Sequence, residues 1–228
     1  MTERRNGRIW LFDYDLTLYA HTERAVLDSL DLRISQYVER VVGCSFEDAQ
    51  RIRKDYLKRF GTTLSGLRSV YGVSPDDFFD FIHNPEFLTY PSPATGKKLL
   101  LESLDGPKYI FTNGRSDWSR AGVSRMGVLD CFRRIVGLEN LDWEGKPQNS
   151  AYEKMEAVLE ADGVFRRGES RRRLVLLDDS AANLLTAKVR GWTTVWVNPS
   201  TEPVSFSPDF RISTLMELPT ILDKILFD

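Results

Sequence analysis

The chain has little of what marks several common kinds of protein. It carries two cysteines, Cys44 and Cys131, and two histidines, His21 and His83, among 228 residues. The cysteines form no CxxC pair and no disulfide framework, which points to a reducing, cytoplasmic setting. Two isolated histidines do not make a zinc site or a Ser/His/Asp triad. Charge of one sign is also lacking: 31 basic against 33 acidic residues leave a net −2, so no global field favours nucleic acid or an anionic membrane. No apolar run approaches the length of a membrane span. The charged start "MTERRNGR" leaves no room for a signal-peptide core before the first predicted strand. Repeats, low-complexity tracts, a P-loop and a dinucleotide fingerprint are absent as well.

What is present is ordinary core-forming material, 42% hydrophobic and 28% charged, in a length that fits one domain with an insertion or two small domains. Ile9 to Phe12 form a continuous apolar run of the kind a strand buried on both faces requires. Four further runs read as buried strands: Lys108 to Thr112, a short one near Ile135–Val136, Leu174 to Leu177, and Thr194 to Val197. Helical patterns separate them. "PATGKKLLLESLDG" ends at Asp105-Gly106, "SDWSRAGVSRMGVLD" follows, "NSAYEKMEAVLEADG" opens with Asn149 or Ser150 as N-cap, and Asn183 to Arg190 closes at Gly191. Strand and helix alternating from about residue 92 predict an α/β fold with a Rossmann-like parallel sheet. Residues 20–90 show helical patterns and no strand, so about seventy residues read as an inserted helical cap. The expected division is a core of 1–18 and 92–228 and a cap of 19–91.

The first strand ends in Asp13-Tyr14-Asp15. Were the extended geometry to continue, both carboxylates would lie on one side, repelling by roughly 4 kcal/mol at about 4 Å and an effective dielectric near 20. Other polar groups stand at the ends of later strands: Thr112-Asn113-Gly114 after the second, and Asp178-Asp179-Ser180 after the fourth, with Asn183 one helical turn on. Lys146 sits between them in "WEGKPQN". Open α/β sheets bind ligands beyond the carboxyl ends of their strands, which would bring Asp13, Asp15, Asp178, Asp179, Thr112 and Lys146 to one spot. Four carboxylates there call for a divalent cation. All-oxygen ligation suits Mg²⁺ with phosphate as co-ligand, leaving Lys146 and the Thr112 hydroxyl to hold the phosphate.

DxDxT after a strand, T-N-G after the next, K-P in a loop and D-D-S-x-x-N together resemble the haloacid dehalogenase superfamily. "FDYDLTLY", "DYLKRFGTTLSGL", "FTNGR" and "DDSAANL" resemble its pyrimidine 5′-nucleotidase branch, and the likeness runs from about residue 8 to 198. It implies a type-one helical cap and a Mg²⁺-dependent phosphomonoesterase acting on a nucleoside 5′-monophosphate. In that pattern Asp13 attacks phosphorus, and Asp15 protonates the leaving oxygen and then activates water. Asp179, with Asp178 nearby, Asp13 and the Asp15 carbonyl would ligate the metal. Thr112, the Asn113 backbone and Lys146 would hold the phosphoryl oxygens, and Asn183 takes the place of an outer acid. Leu16 departs from the Gly or Asn often found there, and a bulky side chain at that position would reshape the entry to the site.

Weaker features keep two readings. "FGTTLSG", 60–66, is a loop closing over substrate or a connection between helices. Tyr19, Arg53 and Arg68 touch substrate or simply occupy helix positions. The arginines of "RRGESRRR", 166–173, read as a solvated loop before the fourth strand, with contact to a partner or RNA as the lesser reading. Rival activities are the same chemistry on a sugar phosphate or phosphoglycolate, halide release, and non-catalytic binding.

Overall fold

A computed structural model describes residues 7–200 and 206–227; the expectation for the charged N-terminal segment largely falls outside them. Six parallel strands form one sheet: β1 (Ile9–Phe12), β2 (Lys108–Phe111), β3 (Arg134–Val136), β4 (Leu174–Asp178), β5 (Thr193–Val197) and β6 (Phe210–Ile212). Their order is β3-β2-β1-β4-β5-β6. The chain builds outward on one side of β1, then crosses to the other. The switch point at β1 is where an open α/β sheet leaves a crevice at its carboxyl edge.

Alternation along the strands explains why each needs apolar residues at nearly every position. Trp10 and Phe12 join one buried cluster with Ile110, Val175 and Leu177. Ile9 and Leu11 join the other with Tyr109, Phe111 and Leu176. Helices α5 (Thr95–Ser103), α6 (Ser116–Arg125), α7 (Asn149–Ala161), α8 (Ala181–Val189) and α9 (Leu222–Phe227) flank the sheet. In α7, Gln148 precedes the first turn without a side-chain cap, so Asn149 begins the helix rather than capping it. Asn149 instead donates to Glu153 one turn on.

Between β1 and α5 lie α1 (Ala25–Val42), α2 (Phe46–Phe60), α3 (Thr63–Tyr71) and α4 (Pro75–Ile82). Gly43, Gly61 and Gly72 end the first three in left-handed conformation, each donating its N–H to the carbonyl four residues back, the arrangement that makes glycine the favoured helix stop. Among the described residues no helix is long and apolar enough to cross a membrane.

Two expectations change. The "FGTTLSG" stretch is mostly helix: only Gly61 and Thr62 connect α2 to α3, and the Thr62 hydroxyl accepts the Ser65 N–H as N-cap. The arginine segment is not simply solvated. Arg171 reaches Glu156 and Arg172 reaches Asp209, while Arg173 bonds Glu169 and the Gly7 carbonyl. Glu156 also accepts from Arg190 and from Trp192 Nε1 at 2.9 Å, and it is buried. Burial alone would raise its carboxyl, but bonds from Arg171, Arg190 and Trp192 outweigh that and hold it below its ordinary value. Stability drawn from a depressed acid is present above the unfolded pKa and lost as pH falls. Glu156→Gln should therefore cost about 2–4 kcal/mol at pH 7. In denaturant titrations the gap from wild type should narrow below about pH 4.3.

Candidate active site

Asp13 continues the β1 ladder by one bond, its N–H donating to the Leu177 carbonyl at 2.9 Å. The extended geometry then stops. Leu18 N–H donates to the Tyr14 carbonyl, and Leu16 takes φ +55°. Asp13 and Asp15 are therefore not a pair along a strand. Asp13 joins Asp178 and Asp179, with one carboxylate oxygen from each lying within 4.8 Å of the others. The Asp15 carboxylate stands apart from that trio and accepts a 2.7 Å bond from the Tyr19 hydroxyl. Leu16 explains its own departure from Gly or Asn. Its left-handed backbone favours those residues, but its side chain turns into the core at 5% exposure and does not narrow the entry.

Thr112 extends β2 through a bond to the Val136 carbonyl. Its buried hydroxyl accepts the Gly114 N–H at 3.0 Å, leaving its own hydrogen to donate. The Asn113 side chain clamps the backbone of Lys146 from both sides, Nδ2 to O and N to Oδ1, each at 2.8 Å. A Cβ on Gly145 would come within 2.5 Å of Asn113 Oδ1, so the clamp requires glycine there. Thus held, Lys146 Nζ donates to Asp13 Oδ1 at 2.9 Å and Asp178 Oδ2 at 2.6 Å, with both ion pairs buried.

Asp178 has its oxygens fully engaged. Beyond Lys146 they accept from the Ser180 N–H and Asn183 Nδ2. Asn183 is fixed in turn by Tyr152, whose hydroxyl donates to its carbonyl, and the Ser180 hydroxyl caps α8. Asp179 differs: its carbonyl accepts from Trp196 and Asn198, while its carboxylate has only its own backbone N–H near it and no side-chain donor among the described residues.

Charge does not balance in this cluster. Burial opposes ionised Lys146, but Asp13 and Asp178 outweigh that and keep it an ammonium. Burial pushes Asp13 well above the usual carboxylate range; Lys146 pulls it back only in part, and Asp178, Asp179 and Asp15 add repulsion. Burial and Asp178 push Asp179 up to about 7. One lysine is thus short of what three carboxylates need. Asp15 is also raised by burial, against the bond from Tyr19 and the proximity of Trp118, His83 and Lys146.

Above the acids opens a cavity of about 690 Å³, within the range of small-molecule sites. Asp13, Asp15, Asp179, Asn113 and Asn183 form its polar end; Leu30, Ile34, Leu64, Phe78, Phe79 and Ile82 form an apolar wall from the inserted helices. Gly61 to Leu64 line it too, so "FGTTLSG" is both connection and wall. Arg53 reaches the lining but is committed to Asp31 at 2.8 Å; Arg68 borders a separate groove with Trp143. Thr112 and Lys146 lie beneath the floor, fully buried. His83 was the residue least expected here. It lines the cavity, its ring between Phe79 and Trp118, a placement made by contacts distant in sequence that no local pattern signals.

No family model matches the sequence. Solved structures do resemble the chain along nearly its whole length. A HAD phosphatase from Thermococcus onnurineus matches at 21% identity and TM-score 0.60, over 95% of this chain and 97% of that one. YfnB of Bacillus subtilis, described as a HAD-hydrolase bound to magnesium, matches at 22% and 0.58 over 95% and 99%. The L-2-haloacid dehalogenase of Xanthobacter autotrophicus matches at 16% and 0.59 over 96% and 99%. At such identities the likeness establishes the fold, a HAD-type Rossmann-like core, and its members here include both phosphatases and dehalogenases.

The charge account predicts that Lys146→Met destabilises the protein by about 3–5 kcal/mol at pH 8, where the buried acids lose their cation. The loss should shrink at pH 5, where Asp13 and Asp179 take up protons. Chemical denaturation at the two pH values checks this; equal stability at pH 8 would contradict it.

Proposed function

We propose that the protein is a Mg²⁺-dependent phosphomonoesterase of nucleoside 5′-monophosphates, with pyrimidine nucleotides preferred. The observation that carries the reading is the cluster of Asp13, Asp178 and Asp179 around Lys146, opening into a partly apolar cavity. We take residues 19–91 as a cap on a core of 1–18 and 92–228, and place the protein in the cytoplasm, in keeping with its free Cys44 and Cys131.

The donor set fits a hard divalent cation: oxygen ligands only, with no side chain donating to the Asp179 carboxylate, and Asp13 and Asp179 raised by burial and further by their acidic neighbours. Asp13, Asp179 and the Asp15 carbonyl would hold Mg²⁺, with Asp178 beside them engaged by Lys146, Ser180 and Asn183; the ion when bound supplies charge neutralisation for the phosphoryl oxygens. Asp13 attacks phosphorus through a carboxylate oxygen; the bond from phosphorus to the ester oxygen breaks, and Asp15 gives that oxygen its proton. Water then attacks phosphorus, Asp15 takes its proton, and the bond to Asp13 breaks to release phosphate. A carboxyl raised by burial suits the proton-donating step. Tyr19 fixes the Asp15 side chain for it. Lys146, the Asn113 backbone and the Thr112 hydroxyl hold the transferring group, and Asn183 steadies Asp178.

The apolar wall supports a planar, weakly polar leaving group. Phe79, Phe78 and Leu64 offer surface for a base, whereas a sugar phosphate would leave that wall unused. Halide release needs no cation and gives no use to the uncommitted Asp179. Phosphate release from a panel of nucleotide and sugar monophosphates, with and without Mg²⁺, tests the reading. The expected result is Mg²⁺-dependent release strongest from uridine or cytidine 5′-monophosphate, reduced about 10³-fold or more in Asp13→Asn. Release from sugar phosphates alone would remove the nucleotide assignment, and silence throughout would remove the activity.

A further inference from the structure

The loop that delivers Lys146 is strained just before it. Asp142 and Trp143 both take left-handed backbone, at φ +51° and +66°. For a bulky side chain that conformation is an outlier, and it persists only where surrounding contacts impose it. Inside the loop, the Trp143 N–H donates to the Leu138 carbonyl at 2.9 Å and the Glu144 N–H to the Leu141 carbonyl at 3.0 Å, while Lys154 Nζ donates to the Leu141 carbonyl at 2.8 Å. The indole of Trp143 borders the groove shared with Arg68 and does not line the cavity. Its ring lies 5.9 Å from the Phe79 ring on centroids, at an interplanar angle of 29°, and Phe79 belongs both to α4 and to the cavity wall. The inserted helices meet the loop again beyond Lys146. A Cβ on Gly61, whose φ is +82°, would lie 3.3 Å from Pro147 Cδ and 3.7 Å from the Lys146 carbonyl oxygen. The Pro147 carbonyl is held from the core by the Thr186 hydroxyl at 2.9 Å. Along the chain, then, Lys146 is bracketed by two contacts with the inserted helices. Relaxing the dihedrals at Asp142 and Trp143 would redirect the chain as it enters Gly145 and Lys146, and the ring packed on Phe79 resists that.

We propose that Trp143 is a positioning residue: stacked on Phe79, it holds the strained turn that aims Lys146 Nζ at Asp13 and Asp178. This rests on the phosphomonoesterase reading for what Lys146 does to the substrate, and it makes the inserted helices part of how that lysine is placed.

The test compares wild type, Trp143→Gly and Trp143→Phe on uridine 5′-monophosphate with Mg²⁺, at a temperature where unfolding curves show each fully folded. Glycine adopts left-handed backbone without strain and removes the ring; phenylalanine keeps both the ring and the strain. Trp143→Gly should lower kcat about tenfold or more with KM within about twofold of wild type, and Trp143→Phe should recover most of the loss. A rise in KM alone would make Trp143 a backing for Phe79 in the cavity wall and overturn the proposal, as would unchanged kinetics. Denaturant unfolding at pH 8 adds an arm that needs no substrate. Across Trp143→Gly, Lys146→Met and the double variant, the midpoint of the double should fall by clearly less than the sum of the single shifts, since without the ammonium nothing is left to place. Additive shifts overturn the proposal. Trp143→Leu replaces Trp143→Gly, and Lys146→Arg replaces Lys146→Met, where the first choice does not fold. Silence of the folded wild type on the nucleotide removes the phosphomonoesterase reading alone, and the unfolding cycle then decides the placement of Lys146.

Discussion

A buried ammonium held between two buried carboxylates is the contact on which the functional end of this molecule depends. Lys146 reaches Asp13 at the end of β1 and Asp178 at the end of β4, strands that pair as neighbours at the switch point of the sheet. Each partner comes from a different part of the chain, so the trio exists only once the parallel sheet is complete. The clamp by Asn113 then draws the end of β2 into the same arrangement. Desolvating three charges this way is unfavourable unless they are paired and hydrogen-bonded, and Asp178 shows that condition met: three donors, Lys146 Nζ, the Ser180 N–H and Asn183 Nδ2, reach its two oxygens. Asp13 accepts from Lys146 alone among side chains, and no side chain donates to Asp179 among the described residues. That unevenness separates an acid tied into the scaffold from two that are less tied.

The core was legible because buried parallel strands must be apolar on both faces. Ile9 to Phe12 and Leu174 to Leu177 could scarcely be anything else, and their C-terminal acids could be placed together from topology alone. β6 was missed for the opposite reason. Phe210–Ile212 is three residues long with an exposed Arg211 at the sheet edge, and half-buried edges carry little hydrophobic signal. The helix α3 was hidden by its opening residues, since Gly61-Thr62-Thr63 looks like a connection until Thr62 is seen capping Ser65. Within the site, residue types foretold the cluster of Asp13, Asp178, Asp179 and Lys146 but not the division of labour within it. Period-two reasoning assumed that the strand ran on to Asp15, whereas it ends at Phe12, and Asp15 is held by Tyr19. His83 was set aside as isolated because its partners, Trp118 and Asp117, lie more than thirty residues away.

The same fold serves phosphatases and dehalogenases among the solved structures it resembles, so architecture alone leaves the reaction open. Charge narrows it. A site needing only a nucleophile and a lysine has no use for the half-buried Asp179 beside Asp13, whereas the cation and phosphate site proposed above does. The cavity wall contributed by the inserted helices bears on the leaving group in turn, since it joins apolar surface from Leu30, Ile34, Leu64, Phe78, Phe79 and Ile82 to charged groups of α1 and α2, Asp31, Arg53, Lys58 and Arg59.

The central claim is that Lys146 leaves the acids of this site in need of a further cation. Calorimetric titration of Mg²⁺ into the wild-type protein and into Asp179→Asn at pH 8 tests it most directly, because it reads the cation without requiring any substrate. Saturable binding of about one Mg²⁺ per chain, weakened at least tenfold when the uncommitted carboxylate is removed, is the predicted result. Absence of Mg²⁺ binding to the folded wild-type protein, or binding indifferent to Asp179, would contradict the account.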